Sequence, residues 1–576
     1  MRVLLTGGTG VIGEGVIPAL LAEGHEVRLL TRGAERGARE WPRGVEPFAA
    51  DVSDARTLTG AAADCDAVVH VTGIVSESPP EVTFERVNVG GTRNILKEAQ
   101  RAGVRRFVFV SSLGADRGQS DYHRSKLKGE ELVRKFRGDW VILRPGAVYG
   151  PGDEVVSVLL KLVRALPVVP AVGDAEQRFQ PVWYEDFGAA VARAVADETP
   201  SRETFEVAGD DLTTTRDIVE RMGRLTGREP TLLPVPELLA TTVARASDAL
   251  GLGRITSSVL GVDLSVDEAK VTMLVEENFI REPSRNALTE VFGVEPLPLD
   301  EGLRLLADTL PEQLPSEGFG PLRRKRFRAE IVNSRLDAPG LLKLFRERCS
   351  DIMPIEFDAE PDTPNRVERG VTLTAALPAR GNIQMRVAEA GRARVTFVTI
   401  EGHPLAGVVV FTTEKTTRGV RFTVETLARA ANAFDYVGMS TVGSVMQDAN
   451  WVEVVERMVE ESGGSAPKGV EQDDATLDEE EAAGVERRIE RLVVGLRRAE
   501  NVRKEAAAKG TKKGATKSVK RRDAAGGVKR PAARKATAKG AVVMKAATKA
   551  KGTATKRTTT KKIATAGAPK AARKRR

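Results

Sequence analysis

Two hydrophobic patterns divide this chain. In its first 310 residues, short continuous apolar runs alternate with segments whose apolar residues recur every three or four positions. The first run, Val3–Leu5, enters a glycine-rich turn, and a helical pattern follows through Val16, Ile17 and Leu20. Continuous runs are typical of strands buried on both faces. Their alternation with amphipathic helices predicts an α/β fold built on a doubly wound parallel sheet.

The same pattern places further elements of this sheet. Strands are predicted at His25–Thr31, Phe48–Asp54, Ala67–Thr72 and Phe107–Ser112. Helices are predicted at Thr83–Ala102 and Tyr122–Phe136, and later helical segments are expected to form a small substrate lobe. An apolar stretch, Leu232–Leu260, indicates either a lid over a hydrophobic substrate or ordinary helix packing.

Beyond residue 321 the pattern becomes that of an α+β domain. A strand (Phe327–Val332) and a helix (Pro339–Arg348) come first. Antiparallel strands are then predicted at Val371–Leu377, Ile383–Val387, Ala393–Ile400, Gly407–Thr413 and Val420–Leu427. A closing helix, Asp448–Glu461, carries apolar residues on one side: Trp451, Val454, Val455 and Met458.

These patterns predict five regions. They are a nucleotide-binding domain with a substrate lobe (1–310), a linker (311–321), an α+β domain (322–464), a charged helical segment (465–503) and a basic tail (504–576). In the charged segment an apolar stripe indicates a helix that either docks on the body or pairs weakly: Val485, Ile489, Leu492 and Leu496.

Charge is distributed unevenly along the 576 residues. Residues 501–576 contain 26 Lys and Arg against two acidic residues, a net charge of +24. Because the whole chain carries +8, the first 500 residues carry −16. From Lys504 the chain has no aromatic residue and no leucine, so we expect a disordered tail. Its lysines are suited to nonspecific contact with nucleic acid or another polyanion. The alternative is that the tail only increases solubility.

The remaining composition sets limits on location and metal chemistry. Two cysteines (Cys65 and Cys349) and four scattered histidines argue against disulfides and against a metal site. No apolar run is long enough to span a membrane, and the first strand begins too early to follow a signal peptide. We expect a cytoplasmic protein, with nucleoid association if the tail meets DNA.

The glycine-rich turn is the first candidate site. Gly7 allows the chain to reverse, Gly10 allows the backbone to approach a pyrophosphate, and Gly13 allows close packing. The helix beginning there directs unpaired N–H groups towards phosphates. The predicted cofactor-binding residues of this turn are Thr6, Gly7, Thr9, Gly10, Val11, Ile12 and Gly13.

Residues at later strand ends extend this cofactor site. Arg32 stands where NAD-binding folds often carry an acidic residue, and it suits a 2′-phosphate, so NADP(H) is favoured over NAD(H). Asp51 and Val52 are expected at the adenine. Near the nicotinamide ribose we expect Val71, Thr72 and Gly73. His70 is interpreted as a packed core residue.

A candidate catalytic group follows the fifth strand. Ser111 and Ser112 stand at its carboxyl end, where open parallel sheets bind ligands. Tyr122 and Lys126 share one helix face because they are four residues apart. An ammonium beside a phenol favours the phenolate, and a serine hydroxyl polarises a reacting carbonyl.

The chain resembles the extended and atypical short-chain dehydrogenase/reductases, a superfamily built on the Rossmann fold. The motifs that carry the resemblance are Thr6–Gly13, Val110–Ala115, Tyr122–Lys126 with Gly129–Glu130, Leu143–Asp153, Gln180–Asp186 and Phe205–Gly209. They look most like the group containing the NADPH-binding accessory subunit of complex I and epimerase/dehydratase-like proteins. The region 322–464 is similar to START and polyketide-cyclase-like helix-grip domains, and the tail to histone-H1-like tails.

The superfamily resemblance implies roles for single residues. Tyr122 becomes the acid/base, Lys126 its pKa-lowering and ribose-holding partner, and Ser112 the substrate-orienting hydroxyl. Asn88 takes the place of the helix asparagine that supports the lysine through water, and Ser111 lies at the cofactor. The resemblance implies an NAD(P)H-dependent oxidoreductase acting on a carbonyl or alcohol. If the apolar stretch forms a lid, it would suit a lipid-like substrate. The alternatives are a noncatalytic NADPH-binding scaffold or sensor and a nucleotide-sugar epimerase or dehydratase.

Overall fold

A parallel seven-stranded sheet forms the centre of the amino-terminal half. The computed structural model describes residues 1–33, 41–165, 168–236, 276–355, 360–361, 366–377, 381–438, 443–497 and 499. The strands are β1 (Arg2–Thr6), β2 (Glu26–Thr31), β3 (Val45–Ala49), β4 (Ala67–His70), β5 (Arg106–Val110), β6 (Asp139–Pro145) and β7 (Glu203–Val207). Their order is β7-β6-β5-β4-β1-β2-β3, with all neighbours parallel. This confirms the predicted doubly wound α/β fold, in which the strand order reverses between β1 and β4.

The buried strands explain why continuous apolar runs mark this sheet. Val3 and Leu5 of β1 pack into one hydrophobic cluster, and Leu4 between them packs into the cluster on the opposite face. Successive side chains of a strand point to opposite faces, so both faces must be apolar when helices cover both.

Helices cover these faces and build the substrate lobe. They are α1 (Val11–Ala22), α2 (Thr92–Ala102), α3 (Asp121–Val133), α4 (Val156–Ala165), α5 (Tyr184–Ala194), α6 (Thr215–Thr226) and α7 (Leu299–Thr309). A π-helix (Glu85–Gly91) precedes α2, and the shorter helical turns are Ala55–Leu58, Pro283–Arg285, Ala287–Glu290 and Pro315–Glu317. The lobe's short strands are Ala147–Tyr149, Val168–Val172, Arg178–Phe179, Pro181–Trp183, Thr213–Thr214 and Thr231–Val235. Most of the predicted lid, residues 237–260, lies outside the described residues.

The third strand lies earlier than the sequence pattern predicts. It covers Val45–Ala49, whereas residues 51–54 of the predicted strand form a turn. The Asp51 carboxylate accepts a hydrogen bond from the Ser53 N–H at 2.8 Å, and Asp54 caps the following turn. Aspartates that bond to nearby backbone N–H groups favour turns over ladders.

A second, antiparallel sheet follows. Its strands are β8 (Phe319–Ile331), β9 (Thr372–Leu377), β10 (Gly381–Ala390), β11 (Arg394–Thr399), β12 (Leu405–Lys415), β13 (Val420–Ala430) and β14 (Glu471–Thr476). The order is β9-β10-β11-β12-β13-β8-β14. Helices α8 (Ala338–Glu347) and α9 (Ser444–Glu461) belong to the same region, with short helices at Cys349–Ile352 and Ala433–Gly438. A sheet packed on a long closing helix agrees with the helix-grip-like expectation.

Both faces of this sheet are covered. On one face an aromatic cluster packs with α8 and with the predicted side of α9, where Trp451, Val454, Val455 and Met458 are buried. On the other face the helix at 479–497 buries Ile489 and Leu496 against strand residues such as Val410. The predicted apolar stripe therefore docks on the body.

The charged segment begins with a strand, not with the predicted helix. Residues Glu471–Thr476 add β14 to the edge of β8. Its acidic side chains meet arginines of β8: Asp474 lies 2.5 Å from Arg323, and Glu471 lies 3.0 Å from Arg328. Cross-strand pairing of opposite charges is available only in the fold, so local periodicity misses it.

Buried ion pairs join the antiparallel sheet to the substrate lobe. Arg164 of α4 makes two 2.8 Å hydrogen bonds to Glu360 and one of 3.0 Å to Gln384 of β10. Glu312, in the predicted linker, is buried and meets Arg386 at 2.5 Å and Arg497 at 2.9 Å. Residues Met1–Glu505 accordingly form one compact unit. The division into five regions remains a prediction. Within the described ranges, no helix combines the length and apolarity needed to cross a bilayer.

Candidate active site

The glycine-rich turn has the geometry expected of a nucleotide loop. Gly7 has a φ of +77°, and a Cβ there would lie 2.7 Å from the Thr72 backbone nitrogen. A Cβ on Gly13 would lie 2.3 Å from the Gly8 Cα. Gly10, by contrast, is exposed, and the nearest atom to a Cβ there would be 3.9 Å away. The first and last glycines close the loop, and the middle one leaves its outer side open.

This loop fits the pyrophosphate of a nicotinamide dinucleotide. Gly10 is the N-cap of α1 and offers no side-chain hydrogen bond, so the first N–H groups of the helix have no side-chain acceptor. Thr9 is exposed beside it, and Val11 and Ile12 are half-buried. A helix N-terminus with free N–H groups and a partial positive charge is suited to bind phosphate oxygens.

Thr6 has a positioning role within the protein. Its buried hydroxyl lies 2.7 Å from His70 Nδ1 and accepts a 3.3 Å hydrogen bond from the Thr72 N–H. His70 Nε2 lies 3.1 Å from the Thr92 hydroxyl. Burial, with the nearby Lys126 charge, lowers the pKa of His70 to about 3. His70 is therefore a neutral core residue that ties β4 to β1, as its apolar neighbours indicate.

The residues predicted at the adenosine end lie at the ends of β2 and β3. Arg32 follows β2, is exposed, and forms no ion pair with any residue in the described ranges. Asp51 is half-buried, and its carboxylate is used by the Ser53 N–H. Val52 is buried, and a Cβ on Gly91 would lie 3.0 Å from its Cγ2.

Gly73 makes room for the lysine. A Cβ on Gly73 would lie 2.7 Å from Lys126 Nζ and 3.5 Å from Asn88 Oδ1. Val71 is buried and Thr72 is half-buried just before it. The end of β4 and the start of α3 therefore meet at this glycine.

Ser112 and Tyr122 come together in the fold. The Ser112 hydroxyl lies close enough to the Tyr122 phenol to lower its pKa, although ten residues separate them. Burial has the largest effect and raises the pKa of Tyr122 to about 12. The Ser112 hydroxyl lowers this pKa, and the charge of Glu154 raises it. The phenol is therefore protonated at neutral pH and able to donate a proton. Glu154 is not among the residues predicted for the site, and it lies one residue beyond the Leu143–Asp153 motif.

Lys126 lies beneath this phenol as a buried cation. Its Nζ donates a 3.0 Å hydrogen bond to the Val110 carbonyl and lies 6.0 Å from the centroid of the Tyr122 ring. Burial lowers the pKa of Lys126 to about 8, while the Glu130 carboxylate raises it. Near pH 7 the side chain is still mainly an ammonium, although burial, and not this charge, dominates the pKa of Tyr122.

Asn88 organises the loop beside the lysine. Its Oδ1 accepts a 2.8 Å hydrogen bond from the Ile74 N–H, and its Nδ2 donates to the Ile74 carbonyl at 3.1 Å and to the Ser125 hydroxyl at 2.9 Å. The backbone carbonyl oxygen of Asn88 accepts a 2.6 Å hydrogen bond from the Thr92 hydroxyl. The carboxamide thus joins the loop after β4 to the helix of Tyr122 and Lys126.

Ser111 points away from the group formed by Ser112, Tyr122 and Lys126. Its hydroxyl donates a 2.6 Å hydrogen bond to Glu130, which Arg144 holds with two 2.8 Å hydrogen bonds. Glu130 is fully buried. A buried carboxylate is stable only when paired, so this network holds α3 against β5 and β6. The motifs contained Glu130 and Arg144, but only the fold pairs them.

Comparisons with known proteins place the amino-terminal half of the chain in a family. The model of the NAD dependent epimerase/dehydratase family matches residues 3–208. Ceramide reductase of Caulobacter vibrioides is 32% identical over 45% of this chain and 81% of its own. Sterol demethylase protein B of Methylococcus capsulatus is 31% identical over 43% of this chain and 82% of its own.

A mitochondrial relative bears on the complex I resemblance. NADH dehydrogenase [ubiquinone] 1 alpha subcomplex subunit 9 of Arabidopsis thaliana is 27% identical over 42% of this chain and 62% of its own. The resemblance to a complex I subunit is thereby confirmed. Through its amino-terminal half, the chain belongs to the NAD-dependent epimerase/dehydratase family of NAD(P)-dependent, short-chain dehydrogenase/reductase-like oxidoreductases.

Proposed function

We propose that this protein is an NADP(H)-dependent reductase of a carbonyl group on a lipid-like substrate. The observation that carries the proposal is the convergence of Ser112, Tyr122 and the buried Lys126, whose Nζ lies 6.0 Å from the centroid of the Tyr122 ring. All three lie near the carboxyl ends of β4 and β5, beside the glycine-rich loop.

Each of the three side chains has a separate task. The Ser112 hydroxyl positions the substrate oxygen, and Tyr122 donates the proton that this oxygen needs as its carbon is reduced. The nicotinamide supplies the hydride when bound. Lys126 stabilises the phenolate that remains and is placed to hold the nicotinamide ribose, while Asn88 keeps the neighbouring loop in register.

The free protein carries Tyr122 in the protonated form that carbonyl reduction needs. A phenol with a pKa of about 12 is a proton donor at neutral pH, whereas alcohol oxidation requires a phenolate base. The charge on Lys126 assists release of that proton.

Two features support a lipid-like substrate. The relatives include proteins named for ceramide and for sterol chemistry. Val155 follows Glu154, whose charge acts on Tyr122, and is an apolar side chain with 39% exposure. An exposed apolar side chain in this part of the chain is suited to an aliphatic substrate rather than to a sugar.

Arg32 supports NADP(H). Its exposed guanidinium at the end of β2, without an ion pair in the described ranges, is free to make charge-assisted hydrogen bonds to a 2′-phosphate.

A turnover panel tests the proposal against its alternatives. NADPH oxidation is followed with a long-chain 3-ketolipid, a ketosteroid, a short ketone and UDP-glucose. The proposal requires turnover of the ketolipid or ketosteroid above that of the short ketone. Activity confined to UDP-glucose would indicate an epimerase or dehydratase, and tight NADPH binding without turnover would indicate a scaffold or sensor.

We further propose that residues 504–576 associate nonspecifically with polyanions such as nucleic acid. The support is the charge of this segment, which follows an acidic body; the tail lies outside the described residues. The full chain should bind duplex DNA with an affinity that falls steeply with salt, and a chain ending at Glu505 should not. Equal binding by both chains would contradict this, and nucleoid association depends on it.

A further inference from the structure

His123 joins the loop that follows Ser112 to the helix that carries Tyr122. Its buried ring lies between two glycines: a Cβ on Gly114 would be 2.6 Å from Nε2, and a Cβ on Gly118 would be 2.3 Å from Nδ1. The ring fits only because both positions lack side chains. The loop and the first turn of α3 therefore meet through this imidazole.

Glu276 holds the imidazole from a distant part of the chain. Its Oε2 lies 2.5 Å from His123 Nδ1 and accepts a 3.1 Å hydrogen bond from the Ser120 hydroxyl. Its Oε1 accepts from the Ser120 N–H at 2.9 Å and from the Gln119 N–H. Ser120 is the N-cap of α3, so one carboxylate contacts both the cap and the imidazole. A carboxylate is favourable there because helix N-termini carry a partial positive charge.

We propose that Glu276 is a positioning residue for Tyr122. It locks His123 between Gly114 and Gly118, and this lock keeps the Ser112 loop next to the Tyr122 phenol. The inference rests on the proposed function of Tyr122. It extends the site beyond the segment that the family model matches, which ends at residue 208.

The lock has an electrostatic signature. His123 is faced by Glu276 and Asp116, which raise its pKa, and by Arg117, which lowers it, while burial lowers it most. In the neutral ring Nδ1–H donates to Glu276. Protonation adds an N–H at Nε2, which is buried without a hydrogen-bond partner. Acid therefore strains the lock, and removing the Glu276 charge moves this protonation to lower pH.

Glu276→Gln tests the proposal against a matched control. Glu277→Gln removes a neighbouring carboxylate that is 44% exposed and pairs with Arg178 at 2.8 Å. We expect Glu276→Gln to lower kcat about 10- to 100-fold with NADPH affinity unchanged, because small displacements of reacting groups have effects of this size. The acid limb of its pH–kcat profile should also move to lower pH. Glu277→Gln should match the wild type in both measurements.

A double-mutant cycle with His123→Gln separates positioning from general destabilisation. If Glu276 acts through His123, Glu276→Gln has little further effect on kcat once His123 is replaced. Additive losses, or equal behaviour of Glu276→Gln and Glu277→Gln, would overturn the inference.

Hydrogen exchange keeps the inference testable if the wild type shows no turnover. That result contradicts the proposed function alone. Faster exchange of amides 113–124 in Glu276→Gln, but not in Glu277→Gln, would still support the lock, and unchanged exchange would overturn it.

Discussion

The two sheets of this protein use buried polar groups differently. The parallel sheet ends at an edge where Ser112, Tyr122 and Lys126 converge. The antiparallel sheet is covered on both faces, and its interior is filled by aromatic rings such as Phe345 and Phe411, whose centroids are 4.3 Å apart. Strand ends that converge leave an open edge for a ligand, whereas the faces of the antiparallel sheet are covered by packed helices.

Two equally buried lysines make the contrast specific. Lys126 and Lys325 are each 4% exposed. The Lys325 ammonium lies 2.6 Å from the Asp448 carboxylate and 2.7 Å from the Ser444 hydroxyl. Lys126 has a backbone carbonyl at 3.0 Å and, within the described ranges, no carboxylate at ion-pair distance. A buried charge without a counterion is costly for folding, which makes it a candidate for function.

Removing the phenol should have the largest effect. We expect Tyr122→Phe to lower kcat by about 10²- to 10⁴-fold, because a positioned general acid contributes this much. NADPH affinity should stay the same. The matched variant is Tyr436→Phe on the antiparallel side, where Tyr436 contacts Phe319 edge-on. Steady-state kinetics of both variants measure this effect. An equal loss of activity in Tyr436→Phe would contradict the prediction.

The lysines should separate activity from stability. Lys126→Met should reduce kcat about 100-fold and raise the free energy of unfolding, because it removes an unpaired buried charge. Lys325→Met should leave kcat unchanged and lower the free energy of unfolding by about 1–2 kcal/mol, since Asp448 loses its partner but is partly exposed. Urea unfolding and kinetics together check this, and a reversed pattern would contradict it.

The pH dependence should report Lys126. Its pKa lies below the usual lysine value, so the ammonium is lost as pH rises through about 8. We expect kcat/KM, which reports the free enzyme, to fall about tenfold per pH unit above that point. Stability should rise with pH between about 8 and the unfolded value, because the unfolded chain binds more protons there. A flat profile to pH 10 would remove the role given to Lys126.

Cofactor preference should show the smallest effect. Arg32→Ser should weaken NADPH binding about tenfold and leave NADH binding unchanged, as expected for one exposed charge-assisted contact. Fluorescence titration with both nucleotides measures it. Equal losses for both would place Arg32 away from the 2′-phosphate.

The sequence by itself determined most of the local elements of both sheets, but it misplaced β3 and did not indicate β6, β7 or β14 as strands. Continuous apolar runs mark strands buried on two faces, alternation marks the antiparallel strands, and the spacing of Tyr122 and Lys126 places them on one helix face. Glycines without room for a Cβ, such as Gly7 and Gly13, are visible as a motif because the turn tolerates no other residue.

Only the tertiary structure decided which polar groups meet. Ser111 and Ser112 are adjacent and chemically identical, yet Ser111 turns to buried Glu130 while Ser112 reaches Tyr122. Glu276 reaches His123 from 153 residues away, and residues 471–476 become a strand because the arginines of β8 lie beside them. Such pairings arise from long-range contacts, which depend on chain folding and leave no periodicity in the sequence.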